Sequence, residues 1–156
     1  MLALASLVNF GPEVVSSEKV SVPSSGIPSR RMDMSRVRSI DTLPEMLVRK
    51  TLHSLGFRYR VHYKGLPGKP DIVFTRRNIA IFVHGCFWHQ HPGCKRASTP
   101  ASNKGYWGPK LARNVSRDRT NTERLEEAGW KVAVIWECET KNLDTMTRKL
   151  VDLLRG

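Results

Sequence analysis

Three kinds of residue are in short supply in this 156-residue sequence, and each shortage excludes something. There are only three cysteines, an odd number that cannot close a disulfide framework. Acids number 14 against 26 Lys and Arg, so the chain carries a formal charge of +12. No apolar run approaches the roughly 18–20 residues of a membrane span. The opening residues 1–8 are apolar, but no basic stretch precedes them, which makes a poor secretory signal. No internal repeat is visible.

The positive charge is unevenly placed. Residues 1–30 hold Lys19 and Arg30 against Glu13 and Glu18, so the whole excess belongs to residues 31–156. That first segment has seven Ser, three Pro and two Gly and no apolar periodicity. Residues 1–31 are therefore expected to form a flexible tail, and residues 32–156 one domain. A compact basic domain calls for a polyanionic partner, most simply nucleic acid.

Within the domain, Thr42-Leu43-Pro44-Glu45 opens a helix with an N-cap, a first-turn proline and a capping-box acid. Leu47, Thr51, Leu52 and Leu55 form its expected inner stripe, and Gly56 ends it. Phe57 to Val61 alternates as a half-buried strand should, and strands are also expected over 71–74, 78–83 and 130–136. Helices are expected over 110–128, with Leu111, Val115, Thr122 and Leu125 inward, and over 144–154. The order predicts an α/β fold: a mixed central sheet flanked by helices.

Two constellations carry chemistry. Cys86, His91, Cys94 and Cys138 follow a Cys-x4-His-x2-Cys pattern, completed after 43 intervening residues by a cysteine just past a strand. Three thiolates and an imidazole make a closed tetrahedral shell, as structural zinc requires; the plain alternative is three unliganded thiols and a surface histidine. Asp71 starts a hydrophobic strand, Glu45 lies in a first helical turn, His84 closes a strand and His89 follows it. A metal-dependent phosphodiesterase needs carboxylates for Mg2+ and a neutral imidazole to deprotonate water. Singly, each of these residues is equally at home as a cap or a polar edge. Phe87, Trp88 and Trp107, interleaved with Lys95, Arg96, Lys104, Lys110 and Arg113, suit either stacking on bases or a satellite cluster over the loop.

The segments 34–45, 66–71 (Leu-Pro-Gly-Lys-Pro-Asp), 82–89 (Phe-Val-His-Gly-Cys-Phe-Trp-His) and 136–139 (Trp-Glu-Cys-Glu) resemble, in order and spacing, the very short patch repair (Vsr-type) DNA mismatch endonucleases. The resemblance implies a restriction-endonuclease-like fold with a structural zinc. It also implies nicking of duplex DNA on the 5′ side of the T in a T:G mismatch. Carried over, it implies Asp71 as Mg2+ ligand, His89 as general base, Glu45 acting through water and His84 at the scissile phosphate. Cys86, His91, Cys94 and Cys138 would hold Zn2+. Phe87, Trp88 and Trp107 would enter the DNA stack from one side and Met34 from the other, with Lys95, Arg96 and Asn114 also on the DNA and Asp118 near the active site. A monomer in the bacterial cytoplasm, on the nucleoid, is implied, coupled to a cytosine-5 methyltransferase and to mismatch-repair factors.

Three positions depart from the pattern. The acid and lysine usual on the second nuclease strand are replaced by Phe82-Val83-His84, a loss the Vsr branch shares. Val83 stands where some members have Thr, which leaves only a backbone carbonyl for a metal, and one extra residue separates His91 from Cys94. The competing readings are a related nuclease on other DNA substrates and a non-catalytic zinc-stabilised DNA-binding module.

Overall fold

The computed structural model describes residues 40–155. The expected tail, 1–31, and Met34 lie outside the described residues. Six elements occur in the order α1 (Leu43–Ser54), β1 (Ile72–Phe74), β2 (Ile79–His84), α2 (Lys104–Glu127), β3 (Lys131–Trp136) and α3 (Leu143–Arg155). The sheet is mixed, as expected: β2 is central, antiparallel to β1 and parallel to β3, the parallel pair being joined through α2.

Because β2 is central, it is covered on both faces, and its alternation sorts two cores. Ile79 and Ile81 join Ile72, Phe74 and Ile135 against Val48 and Leu52 of α1 and Met146, Leu150 and Leu154 of α3. Ala80 and Phe82 face the other way, toward Leu125 of α2, with Leu66, Trp130, Val132 and Val134 around them. The result is three layers: two helices, a small sheet, one helix. No helix among the described residues is long and apolar enough to cross a membrane.

Local chemistry explains where the elements begin and end. The Thr42 hydroxyl accepts the Glu45 amide at 3.5 Å and donates to Glu45 Oε1 at 2.8 Å, while Glu45 Oε2 accepts the Asp41 amide at 3.0 Å, so the expected cap is formed with the carboxylate reaching one residue before the N-cap. Gly56, at φ +82°, lets the chain leave α1 in the left-handed region.

Four expectations change. The run from Phe57 to Val61 is no strand; only Arg60 pairs, in an isolated antiparallel bridge to Val73, although the alternation is kept with Phe57 and Tyr59 packed on the core. β1 is three residues long and has no room for more pairing. The buried side of α1 is Glu45, Val48, Arg49 and Leu52, rotated from the expected stripe, and Leu55 is exposed. α2 starts at Lys104, six residues earlier than expected, and carries Pro109 in its second turn, at the loss of one intrahelical hydrogen bond. On α2, Leu111 and Leu125 are buried but Val115 is 42% exposed. The middle of α2 faces the polar loop after β2 rather than the sheet, so the inward positions there are Asn114 and Asp118.

Candidate active site and metal centre

The parallel register of β2 and β3 builds the cysteine cluster. His84 pairs with Trp136, and each strand ends there. Cys86 and Cys138 each lie two residues past that pair, and the Glu137 amide donates to the His84 carbonyl at 2.9 Å to keep the ends together. Residues 85–91 then turn tightly, with the His91 amide donating to the Cys86 carbonyl at 3.0 Å and the Cys94 amide to the His91 carbonyl at 3.2 Å. Gly93, at φ +70°, turns the chain just before Cys94. Ligand atoms of Cys86, His91, Cys94 and Cys138 all lie within 4.8 Å of one another. His91 Nδ1 is 3.3 Å from Cys138 Sγ and 3.7 Å from Cys86 Sγ, and its ring stacks on Trp136 at 4.2 Å. A tetrahedron with Zn–S near 2.3 Å and Zn–N near 2.0 Å has an S···N edge of about 3.5 Å, so the donors stand at the separations such an ion needs. Burial among the other thiols pushes the Cys86 thiol up to about 12, so without a cation it stays protonated.

The acid–histidine site occupies the same end of the sheet. Asp71 immediately precedes β1, and its Oδ2 accepts the Val83 amide of β2 at 2.7 Å. Burial raises its carboxyl to about 6; the Val83 amide and the charges of Arg49 and His89 pull it down, while Glu45 pushes it up. A half-buried carboxylate with hard oxygen donors, next to the backbone of Val83, fits a divalent cation of the Mg2+ type. His84 stacks on His89 with ring centres 3.9 Å apart and planes 8° from parallel. Burial, and secondarily the nearby His89, lowers His84 to about 4, so it is neutral at pH 7. His89 Nδ1 meets Asp118 Oδ2 at 2.5 Å. With the carboxylate accepting, Nδ1 carries the proton and Nε2 is left as an acceptor.

One stripe of α2 supports the whole loop. Trp107, Lys110, Asn114 and Asp118 recur at three- and four-residue intervals on one helix face. Trp107 packs on Phe87 and Trp88 at 5.4 and 5.9 Å, and Phe87 meets Trp88 edge-on at 5.1 Å. The Lys110 ammonium lies 5.1–5.5 Å from the rings of Tyr106, Trp107 and Trp88. Asn114 Nδ2 donates to the Trp88 carbonyl at 3.2 Å, and Asp118 takes His89. Lys95 and Arg96 lie on a short 3-10 turn (Lys95–Ala97), exposed, with Arg96 paired to Glu137 at 3.2 Å.

Glu45 is 4% exposed and joined at 3.2 Å by the Arg49 guanidinium. Sequence reasoning missed Arg49 and Tyr106. The Glu45–Arg49 spacing of four was the available signal for the first, and the Tyr106-Trp107 pair ahead of Lys110 for the second.

Sequence comparison finds relatives of this chain. A sequence model described as DNA mismatch endonuclease Vsr matches residues 27–96. The type II nicking enzyme V.XorIIP of Xanthomonas oryzae pv. oryzae is 48% identical over 125 residues, 80% of this chain and 91% of the relative. The type II nicking enzyme V.NmeAIP of Neisseria meningitidis is 44% identical over 126 residues, 81% of this chain and 89% of the relative. The DNA mismatch endonuclease Vsr of Escherichia coli K12 is 37% identical over 119 residues, 76% of each. The class is thus that of a DNA endonuclease. Within it, the chain belongs to the Vsr family of DNA mismatch endonucleases.

Proposed function

We infer that this chain nicks duplex DNA on the 5′ side of the T in T:G mismatches, as a Mg2+-dependent enzyme with a structural zinc on a restriction-endonuclease-like core. One observation supports this most: Asp71, His84, His89 and Asp118 are linked to one end of the sheet by contacts through Val83, the His84–His89 stack and the His89–Asp118 pair. In this reading Asp71 holds the Mg2+, with the Val83 carbonyl beside it, and Glu45 acts there through water. A cation bound there supplies charge neutralisation at the phosphoryl oxygens and the leaving 3′ oxygen. His89 Nε2 accepts the proton of the attacking water, and Asp118 stabilises the imidazolium that results. His84, kept neutral, donates toward the scissile phosphate without adding a second positive charge beside His89. Cys86, His91, Cys94 and Cys138 hold the zinc, which crosslinks the two strand ends that carry this chemistry.

Phe87, Trp88 and Trp107, with Met34 opposite them, are assigned to the unstacked step at the mismatch. A mispair stacks less well, so it opens at a lower cost than the few kcal/mol per step of paired DNA. Lys95, Arg96 and Asn114 hold the flanking duplex. The chain acts as a monomer in the bacterial cytoplasm, on the nucleoid, with mismatch-repair factors as further partners.

Asp71→Ala and His89→Ala are expected to abolish nicking while leaving mismatch binding within about threefold of the parent. Unchanged nicking products in both variants would contradict the catalytic assignment. If a zinc-stabilised binding module were the right description, the parent itself would leave every supercoiled T:G substrate intact.

A further inference from the structure

The Trp136 ring, at the end of β3, transfers no proton and offers no metal ligand, yet it touches both clusters. It stacks on His91 with ring centres 4.2 Å apart and planes 9° from parallel, and it meets His84 edge-on at 5.5 Å and 71°. His84 stacks in turn on His89, and His89 meets Asp118. Four rings thus run in contact from the cysteine cluster to Asp118. The sheet brings this about: His84 and Trp136 are partners on parallel strands, so both side chains leave the same face.

Of the two imidazoles assigned to the reaction, only His89 is held by a hydrogen bond. None among the described residues reaches the His84 ring. That ring is buried, and what holds it is packing on Phe82 at 5.6 Å, on His89 at 3.9 Å and on Trp136. A stack of two imidazoles sets their separation but resists sliding and tilting only weakly; a third ring set across the edge opposes both. Trp136 is itself fixed well enough to serve. Its amide donates to Glu139 Oε2 at 2.7 Å, and the Lys149 ammonium of α3 meets both Glu139 oxygens, at 2.8 and 3.0 Å. A leucine there would keep apolar cover over the cysteine cluster but present no flat face. We propose that Trp136 is a positioning residue for strand nicking: its indole, seated on His91, sets the place and tilt of the His84 ring and, through the stack, of His89.

This role rests on His84 and His89 acting on DNA as inferred above, and the test separates the two claims. Zinc-loaded full chain is given Mg2+ and a duplex with one T:G pair; the maximal nicking rate, the half-saturating DNA concentration and the zinc content are read together. Trp136→Leu is expected to lower the maximal rate at least about tenfold, with one zinc per chain and half-saturation within about threefold of the parent. Trp136→Phe, whose single ring is shorter than indole, is expected to lower the rate about three- to tenfold with the same two quantities kept. In the DNA-free protein, the nuclear Overhauser effect between the His84 and His89 ring protons is expected in the parent and lost in Trp136→Leu. Should His89→Ala nick at the parent's rate, the catalytic assignment and the proposal fall together. With His89→Ala inactive, the proposal alone is overturned if Trp136→Leu keeps its zinc and loses less than about tenfold in rate, keeps the Overhauser effect, or needs more than about threefold more DNA for half-saturation. A side chain that only filled space would produce one of those patterns. If Trp136→Leu loses its zinc, Trp136→Phe decides: a rate lower by about threefold or more, with zinc and half-saturation kept, supports the proposal, and any other result overturns it.

Discussion

At the scale of single residues, the site works by giving similar groups different surroundings. His84 and His89 stack face to face, yet only His89 meets a carboxylate in a hydrogen bond. His84, buried and beside another imidazole, is held neutral. Asp118→Asn is expected to slow nicking by about ten- to a hundredfold, because the amide no longer fixes the Nδ1–H tautomer or stabilises the imidazolium. Mn2+ binding to the resting protein should be unchanged in the same variant. Asp71 makes a second prediction. Its carboxyl is raised to about 6 by burial, and in the proposed function a cation would bind the ionised form. The Mg2+ concentration giving half-maximal nicking should therefore be flat above pH 7 and rise about tenfold per unit below pH 6. An ordinary carboxylate would hold the plateau down to about pH 4.

At the scale of elements, register does what sequence spacing cannot show. Cys86 and Cys138 are far apart in the chain, but parallel pairing of His84 with Trp136 makes them equivalent positions past two neighbouring strands. The Cys-x4-His-x2-Cys spacing, with Cys138 just past a strand, pointed to the full ligand set; the sheet register shows how Cys138 reaches it. Cys138→Ser is expected to lose most of the bound zinc in metal analysis and to lower the thermal midpoint, since the ion joins both strand ends. Retention of one zinc per chain would remove Cys138 from the shell.

Local and non-local features differ in how far the sequence reveals them. The cap at Thr42 and Glu45, the stop at Gly56 and the final helix expected over 144–154 are local, so periodicity and cap chemistry revealed them. Phe57 to Val61 has the alternation of a strand but finds only the short β1 beside it, and pairing depends on the partner. Val115 fits a hydrophobic period, but what α2 meets at that level is the histidine loop. Asp71, His84 and His89 were legible as a set, whereas Arg49 was not, because a lysine- and arginine-rich chain gives no sign of which cation is buried.

At the scale of the whole molecule, a charge of +12 on 156 residues provides attraction to phosphate without choosing a sequence or a lesion. The rings on one side of the loop, Phe87, Trp88 and Trp107, pack on one another around Lys110. In the proposed function such a cluster is a preassembled wedge whose use depends on how readily the duplex opens, and the acids and histidines cut only what it has seated. The central claim is therefore a claim about substrate, and the most direct measurement is nicking of one DNA sequence carrying either a T:G or an A:T pair, with Mg2+ and with chelator. A single nick 5′ of the mismatched T is expected, dependent on Mg2+, at a rate at least about a hundredfold above that on the A:T duplex. Equal nicking of the A:T duplex would contradict it.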